Sequence, residues 1–469
     1  MTSAADDTER PQLHASGDVL HRANEQANQS NSRPRRFKRY PAYQNSSVDW
    51  LGNNPAHWEV SLVYARYEVA LGKMLDAKRF TGEFLGRYLR NIDVQWDNIN
   101  TEDLPEMDFA PWERERYLLY PGDLLVCEGG EVGRTAIWRG EINECYYQKA
   151  IHRVRPRSNA DSPRFFYYLM YALAKRGVFV AGGNPNTIDH LTAVQLRHYR
   201  LPFAPPKEQP VITKFLDRET AKTDALVAKK ERLIELLQEK RAALITRAVT
   251  KGLDPNVPMK DSGVEWLGEI PAHREVKRNG LLFRERDERE FPELPLLDVS
   301  ISTGVNIRQF STEHIEQKAN DPTVYKRAKG DDISFNKMRM WQGAVGVAPV
   351  DGLVSPDYTV AVPLNGVNPR YFVALFRTSC YMTEIHRYSH GIVPDRNRLY
   401  WDAFKNIKSI YPPFSERKVI VEYLDTEGTK IDALIAKIRE GIEKLKEYRT
   451  ALISAAVTGK IDVREDVVA

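Results

Sequence analysis

The chain has 469 residues, which exceeds what one hydrophobic core accommodates and predicts two or three domains. Its composition, 42% hydrophobic and 28% charged residues, is typical of globular proteins, and no apolar run reaches the roughly 18 residues of a membrane span. A net charge of +4 is too small to indicate a nucleic-acid partner by itself. The three cysteines lack disulfide or zinc spacing and the N-terminus lacks an apolar signal core, so we expect a cytoplasmic protein.

The first 40 residues form a polar segment rich in Asn, Gln and Ser, with too few apolar side chains to fold. The segment ends in a basic arm between Arg33 and Arg39. We expect a disordered, solvated tail.

An internal repeat is the strongest feature of the sequence. The motif SSVDWLGNNPAHWEV at residues 46–60 returns as SGVEWLGEIPAHREV at residues 262–276, with ten of 15 positions identical. Residues 205–254 align without a gap to residues 413–462, with 25 of 50 positions identical. The chain is therefore a tandem duplication of an opening motif, a divergent middle and a helical exit segment.

The two middles correspond only weakly. Residues 121–125 precede their apparent counterpart, residues 329–333, by 208 positions, and Pro-Arg-Phe-Phe at 163–166 parallels Pro-Arg-Tyr-Phe at 369–372. Short runs of Tyr, Phe, Val and Ile between turn residues predict strands, for example at residues 117–126 and 135–138. Divergent middles on a retained frame favour two recognition surfaces over two copies of one catalyst.

Each exit segment is predicted to be one long helix. The first copy has no glycine between Glu208 and Thr250, a Pro-Pro pair before it and Lys251-Gly252 after it. Apolar residues recur at heptad-like spacing, which predicts a buried stripe: Phe215, Leu226, Leu233, Leu237, Leu244 and Ala248, with Tyr423, Leu434, Gly441, Leu445, Leu452 and Ala456 in the second copy. We expect the two helices to pair antiparallel and to act as a ruler between the middles; the alternative is homodimerisation through the stripes.

The predicted fold class is α+β, with two pseudo-twofold-related, α/β-mixed globular domains separated by two long antiparallel coiled-coil helices. The expected boundaries are a tail at 1–40, a first domain at 41–204, a helix and linker at 205–261, a second domain at 262–411, and a second helix with a C-terminal tail at 412–469.

Polar loops in both middles carry residue types that contact DNA. Asn, Lys, Arg and Gln crowd into residues 336–342 and offer hydrogen bonds to base edges and charge for phosphates. A single loop of this kind is usually only a solvated turn, but similar clusters occur in both copies. The candidate DNA-binding residues are Arg90, Asn91, Gln95, Arg134, Lys149, Arg153 and Asn186 in the first copy, and Asn336, Lys337, Arg339, Trp341, Gln342, Tyr358, Arg387 and Arg396 in the second.

We find no catalytic or metal-binding motif. Tyr411-Pro412-Pro413-Phe414 lacks the Asn of the Asn-Pro-Pro-aromatic tetrapeptide of adenine methyltransferases, and there is no GxxxxGK[ST] phosphate loop. A nuclease-like pattern, Pro394-Asp395 with Glu416-Arg417-Lys418, falls on the repeated start of the helix, where the first copy has no lysine. We therefore expect no catalytic residue, no metal and no cofactor in this chain.

The opening motif WLGxxPxHWEV (50–60), the stretch LIELLQEKRAALITRAVTKGLD (233–254), YLRNIDVQW (88–96), NKMRMWQGAVGV (336–347) and VSPDY (354–358) resemble type I restriction–modification specificity subunits. The resemblance covers residues 41–462; its departures are Ser415-Glu416-Arg417 at the second helix start and Arg274 in place of Trp58.

The resemblance implies two target-recognition domains, each contacting one half of a bipartite, asymmetric site in double-stranded DNA, with the helices setting the gap. It implies two modification subunits that bring S-adenosylmethionine and methylate a flipped adenine, and restriction subunits that use ATP and Mg²⁺. Two rival hypotheses stay open. If the chain is an enzyme with unfamiliar motifs, the purified protein should act on DNA without any partner subunit. If it is a purely structural coiled coil, no assembly containing it should bind DNA in a sequence-dependent way.

Overall fold

The computed structural model describes residues 37–74, 76, 80–179, 190–308, 321–391 and 397–467. These residues form two compact units. The first runs to Ala225 and resumes at Lys444, and the second is Leu226–Glu443. Each unit therefore combines one globular domain with segments of both long helices, a different division from the five consecutive segments predicted from the sequence.

The first unit contains the first copy of the repeat. Its helices are α1 Val63–Arg66, α2 Pro111–Tyr117, α3 Pro163–Lys175, α4 Ala193–His198 and the first part of α5 Gln209–Lys251. Its strands are β1 Tyr43–Asn45, β2 Asn53–Pro55, β3 Glu59–Leu62, β4 Tyr67–Leu71, β5 Leu85–Leu89, β6 Val94–Gln95, β7 Asn98–Ile99, β8 Glu106–Asp108, β9 Leu124–Cys127, β10 Thr135–Ile137, β11 Tyr146–Tyr147, β12 Ile151–Pro156 and β13 Arg200–Phe203.

The second unit contains the second copy. Its helices, besides the rest of α5, are α6 Pro369–Phe376, α7 Ser379–Tyr388, α8 Trp401–Phe404 and α9 Phe414–Val457, whose last turns belong to the first unit. Its strands are β14 Met259–Asp261, β15 Glu269–Pro271, β16 Glu275–Arg278, β17 Phe283–Arg286, β18 Leu297–Ser300, β19 Gly304–Ile307, β20 Lys326–Ala328, β21 Ile333–Asn336, β22 Val345–Val347, β23 Gly352–Val354, β24 Tyr358–Pro363 and β25 Lys408–Tyr411.

Three of the sheets have the same topology in the two units. A four-stranded antiparallel sheet has the order β10-β9-β12-β4 in the first unit and β22-β21-β24-β17 in the second. The pair β13-β3 corresponds to β25-β16, and β1-β2 corresponds to β14-β15. The duplication predicted from the sequence is thus a duplication of one α+β fold.

The backbone also corrects the alignment of the two middles by one residue. Asp123 accepts a hydrogen bond from the Tyr120 amide (2.8 Å), and Asp332 accepts the equivalent bond from Lys329 (2.9 Å). Gly122 and Asp331, one residue earlier, both have a left-handed backbone, at φ +98° and +70°. Asp123 therefore corresponds to Asp332, because a turn before the strand is fixed by backbone conformation and not by the letters Gly-Asp.

This turn also shortens a predicted strand. The sequence predicts a strand at residues 117–126, but Tyr117 ends α2 and β9 begins only at Leu124. The strand predicted at residues 135–138 is confirmed by β10.

The main core of each unit lies between its four-stranded sheet and the helix that follows the sheet. In the first unit, Ser162 caps α3 by accepting a hydrogen bond from the Phe165 amide, and Pro163 occupies the first turn. In the second unit, Asn368 caps α6 in the same way before Pro369. Both helices bury their aromatic residues against the sheet, including Phe165 and Phe372.

The long helices predicted from the exit segments are confirmed, since α5 has 43 residues and α9 has 44. Gly252, at φ +85°, ends α5 and donates to the Arg247 and Ala248 carbonyls, as the Lys-Gly signal predicts. In the second unit the helices run antiparallel: Arg241 pairs with Asp432 at 2.7 Å, and Lys230 lies beside Gly441.

The predicted stripe, however, is buried only in part. Leu226, Leu233 and Leu434 have exposures of 43%, 44% and 44%. The buried residues of α9 in the second unit are isoleucines at spacings of 4, 3 and 4: Ile431, Ile435, Ile438 and Ile442. The predicted phase is therefore wrong for Leu226, Leu233 and Leu434. It is right for the later positions of α9, because Leu452 and Ala456 continue the isoleucine spacing and are buried.

Each opening motif contacts the end of a long helix within its own unit. Trp58 Nε1 donates to Glu208 at 3.2 Å, and Arg274, the residue that replaces Trp58 in the second copy, donates to Glu416 at 2.6 Å. The Arg274 side chain is fully buried, and its Nη1 also donates to the Val249 carbonyl at 2.9 Å. Arg274 therefore keeps the contact that Trp58 makes with the glutamate at the helix start, and it also caps the end of α5.

The predicted N-terminal tail is folded at its end. Phe37 contacts Phe215 edge to face, and Tyr40 is buried. The backbone of Lys38 forms an isolated antiparallel β-bridge with that of Asp462. The prediction of a solvated segment is thus wrong for Phe37 and Tyr40, whose aromatic rings pack against the first unit, whereas Lys38 and Arg39 are exposed. The rest of the arm lies outside the described residues. Among the residues that the structure describes, no helix is long and apolar enough to cross a membrane.

Candidate nucleic-acid interface

In the second unit, the polar loop predicted from the sequence follows β21. The Asn336 side chain accepts a hydrogen bond from the Met338 amide (2.9 Å), and the Asn336 amide donates to the Ala344 carbonyl (3.1 Å). Gly343, at φ +90°, closes the turn. These bonds fix the loop base and leave Arg339 exposed at its tip.

Three other segments meet this loop. The Leu399 amide donates to the Lys337 carbonyl at 2.9 Å, and the Lys337 amide donates to the Asp357 carbonyl at 3.4 Å. On the other side, the Trp341 ring lies 5.1 Å from the His386 ring at the end of α7. The fold thus brings together the predicted residues of 336–342, Tyr358 and Arg387; Arg396 lies outside the described residues.

The loop carries incompletely neutralised positive charge. Burial and, after it, the nearby Lys326 lower the pKa of Lys337, whose Nζ lies 3.4 Å from the Pro356 carbonyl. Tyr400 is half exposed, and its ring centroid lies 5.9 Å from Lys337 Nζ. Sequence reasoning missed Tyr400; an aromatic residue directly after the Arg-rich segment 396–398 was the available signal.

The remaining predicted side chains of the second unit are partly engaged within the protein. Trp341 Nε1 donates to the Met338 carbonyl at 2.9 Å, and Arg387 donates to Glu384 at 3.2 Å while staying largely exposed. Tyr358 pairs with Asn336 across β24 and β21, and burial raises its pKa. Gln342 is half-buried, and its backbone amide donates to the Arg339 carbonyl.

In the first unit, the segment Arg90–Gln95 forms a single helical turn followed by β6. Asp93 accepts hydrogen bonds from the Arg90 amide (2.7 Å) and from its guanidinium (2.9 Å), and these bonds raise the pKa of Arg90. Gln95 is exposed, and its side chain donates to the Ile92 carbonyl at 2.8 Å. The segment therefore presents a cation and an amide from a fixed backbone.

Asn91 holds this segment against two neighbouring loops. Its side chain donates to the Gly129 carbonyl at 3.2 Å and to the Ala150 carbonyl at 3.3 Å. Arg134 in turn donates to the Asn91 carbonyl and side chain, both at 2.9 Å. Arg90, Gln95, Arg134 and the exposed Lys149 therefore lie in connected segments, with Asn91 and Arg134 facing each other.

One predicted residue of the first unit does not join this group. Arg153 is buried in β12 and donates to Glu68 at 2.7 Å and to the Arg116 carbonyl at 3.0 Å, so we leave it out of the interface. Asn186 lies outside the described residues. Period-two alternation does not distinguish an arginine buried by an ion pair from one that faces solvent.

Within the described ranges there is no cluster of three or more His, Cys, Asp or Glu side chains arranged to hold a metal ion. Cys127 is buried beside Asn91, and burial raises the pKa of its thiol to about 11. A thiol needs a lowered pKa to act as a nucleophile near neutral pH, and the pKa of Cys127 is shifted in the opposite direction.

Comparison with known proteins gives three kinds of match. The family model of the type I restriction modification DNA specificity domain matches residues 100–236. The EcoBI specificity subunit of Escherichia coli is 29% identical over 136 residues, 29% of this chain and 28% of that subunit. The EcoDI specificity subunit of Escherichia coli is 19% identical over 328 residues, 63% of this chain and 70% of that subunit.

Solved structures match over more of the chain. A chain from a study of complex assembly and conformational transition of the type I R-M system has a TM-score of 0.60 at 13% identity, covering 86% of this chain and 98% of that one. The HsdS subunit from Thermoanaerobacter tengcongensis has a TM-score of 0.51 at 14% identity, covering 87% and 98%. At such identities the likeness concerns the fold.

Residues 100–236 thus match a DNA specificity domain of type I restriction–modification systems, and the repeated fold resembles that of solved chains from such systems. The resemblance predicted from the sequence is confirmed, since the family model, the curated relatives and the solved structures all indicate a type I specificity subunit. The EcoBI alignment spans less than a third of that relative.

Proposed function

We propose that this chain is the non-catalytic subunit that selects the DNA sequence for a type I restriction–modification complex in the cytoplasm. Each unit contacts one half of a bipartite, asymmetric site in double-stranded DNA. The observation that carries the proposal is that the same turn of the same four-stranded sheet bears different residues in the two copies.

That turn connects β9 to β10 in the first unit and β21 to β22 in the second. The Cys127 and Asn336 amides both donate across the turn base, to Arg134 and Ala344. Between these bonds, the first copy reads Glu-Gly-Gly-Glu-Val-Gly and the second reads Lys-Met-Arg-Met-Trp-Gln-Gly. A retained frame with exchanged loop residues suits two surfaces that select different bases.

The electrostatics of the second loop support an anionic partner. Burial and the nearby Lys326 disfavour the protonated form of the Lys337 amine. A phosphate oxygen beside this amine would favour the protonated form. Arg339 is exposed on the same loop and has the fork of donors that matches guanine in the major groove. We assign Lys337 to the DNA backbone and Arg339 to a base edge.

Catalysis in this proposal comes from partner subunits. Two modification subunits bring S-adenosylmethionine and methylate one adenine in each half-site, and restriction subunits bring ATP- and Mg²⁺-dependent translocation and cleavage. Leu226, Leu233 and Leu236 on α5 leave an exposed apolar face, and exposed leucines at heptad-like spacing suit a protein partner. We propose that the modification subunits dock on the long helices, whose length sets the gap between the half-sites.

The test is a methylation assay with the purified chain, its modification subunit, S-adenosylmethionine and a randomised DNA library. Modified adenines should fall in two short sequences separated by a fixed gap, and only when both proteins are present. Methyl transfer or cleavage by the chain alone would support the rival enzyme hypothesis. Methylation whose sequence is unchanged when the chain is omitted would refute a specificity role.

A further inference from the structure

The turn Trp96–Asp97, next to the proposed DNA-contacting segment Arg90–Gln95, is held by the helix α3. Trp96 and Asp97 connect β6 to β7, so the position of this turn fixes the strand that carries Gln95. Asp97 has a left-handed backbone at φ +54°, which non-glycine residues adopt only where their surroundings stabilise it.

Two arginines stabilise this turn through the Asp97 carboxylate. Arg139 contacts one oxygen at 2.5 Å, and Arg164 from the first turn of α3 contacts the other at 2.5 Å. The Trp96 ring, beside them, packs edge to face on Tyr171 of α3, at 5.0 Å between ring centroids. The turn is therefore bound to α3 by charge and by an aromatic contact.

Arg164 extends this connection to the long helix. Its Nε donates to Asp217 on α5 at 2.8 Å, so one guanidinium joins the turn to α5. The contact between α3 and α5 does not depend on Arg164 alone, because Tyr168 also donates to Asp217, at 2.6 Å. Removing Arg164 should therefore loosen the turn, which keeps its contacts with Arg139 and Tyr171, and leave α3 docked.

The second copy has the same helix contact without the connection to a turn. Arg370, the counterpart of Arg164, pairs with Asp425, the counterpart of Asp217, at 2.8 Å. No other ion pair is found for Arg370 among the described residues, whereas Arg164 has a second carboxylate in Asp97. Arg370 is thus a matched control for the helix contact.

We propose that Arg164 is a positioning residue for sequence selection: by joining Asp97 to Asp217, it fixes the segment Arg90–Gln95 relative to α5. The inference rests on the proposed function. Contacts with base edges depend on sub-ångström placement of the side chains, so a loosened turn relaxes the base preference of the first half-site only.

The experiment is the library methylation assay with Arg164→Ala, Asp97→Gly and Arg370→Ala. We expect Arg164→Ala to lower discrimination in the first half-site about tenfold, the size of one lost base contact, with the second half-site unchanged. Asp97→Gly should relax the first half-site at least as much, because glycine accepts φ +54° and the carboxylate that both Arg139 and Arg164 contact is lost. Arg370→Ala should leave both half-sites unchanged.

Thermal unfolding of each variant separates positioning from general destabilisation, and Arg164→Lys, which keeps one charge contact, should give an intermediate preference. Uniformly lower methylation of all sequences with an unchanged first half-site profile would overturn the inference. Equal relaxation of both half-sites would overturn it too. A wild-type complex with no preference in the first half-site would instead refute the proposed function itself, and the inference with it.

Discussion

The helix pair offers a direct test of whether its length sets the gap between the half-sites. In the second unit, the contacts Arg241–Asp432 and Lys230–Gly441 place residue 238 of α5 level with residue 435 of α9. The perturbation is one added heptad in each helix at this level, after Gln238 and after Leu434. Insertion in both helices keeps every helix contact in register, which insertion in one helix would not.

Seven residues preserve the face on which Ile431, Ile435, Ile438 and Ile442 are buried, because these residues recur with a heptad period. The helix ends are unsuitable for insertion, since the Val249 carbonyl accepts hydrogen bonds from Arg274 and from Tyr371. At about 1.5 Å per residue, one heptad lengthens each helix by roughly 10 Å.

Base pairs are spaced by about 3.4 Å, so the preferred gap should grow by about three pairs. Each added pair rotates the second half-site by roughly 35°, or about 100° in total, so affinity should fall even at the new optimum. The assay is methylation of DNA sites whose gap varies one pair at a time. A folded double-insertion variant that keeps the original gap would refute the ruler, as would one whose half-site bases change.

Three other predictions concern single residues of the second unit. Arg339→Ala should weaken discrimination in the second half-site by about 1–3 kcal/mol without affecting the first, and unchanged binding to cognate and scrambled second half-sites would contradict it. Arg274→Ala should lower the free energy of unfolding by about 2–4 kcal/mol in denaturant titrations, because the carbonyls of Val249 and Thr250 lose a buried donor; Arg274→Trp, the residue of the first copy, should cost less. Burial raises the pKa of Glu416, but hydrogen bonds from Arg274 and His273 outweigh it, so the pKa is lowered in the folded state. The Glu416 carboxylate should therefore stabilise the fold above its unfolded-state pKa, and this stabilisation should be lost as the pH falls through the lower folded-state pKa. The stability difference between the wild type and Glu416→Gln should therefore shrink on acidification, and a difference that is constant with pH would contradict it.

Sequence reasoning worked best where chain periodicity and repetition carry the information. The duplicated fold, both long helices and the polar loop after β21 follow from patterns that the residues themselves display. The one-residue error between the middles arose at Gly122 and Asp331, where a left-handed backbone is shared by different residue types. Backbone conformation at a turn is only partly encoded by residue identity.

Sequence reasoning also failed to predict which charged side chains are buried. Arg153 and Arg339 are indistinguishable as letters, yet one is buried by an ion pair with Glu68 and the other lies exposed at a loop tip. The same holds for Arg274, whose capping of a helix end depends on residues about 25 positions before it and more than 100 positions after it. Which cations face a ligand is decided by tertiary contacts, and these were not visible in the sequence.

The contacts that the two copies share suggest how such a chain changes its specificity. The pairs Asp224–Arg449 and Asp432–Arg241 join the long helices at corresponding positions, and each is at least partly exposed. Exposed ion pairs of this kind contribute little stability, typically 0–1 kcal/mol, so their presence in both copies is better explained by the register that they impose on the helices. The turns between the sheet strands carry no such shared pair. If the turns contact DNA and the helices set the gap, as we propose, substitution in a turn would alter the sequence preference and leave the gap unchanged.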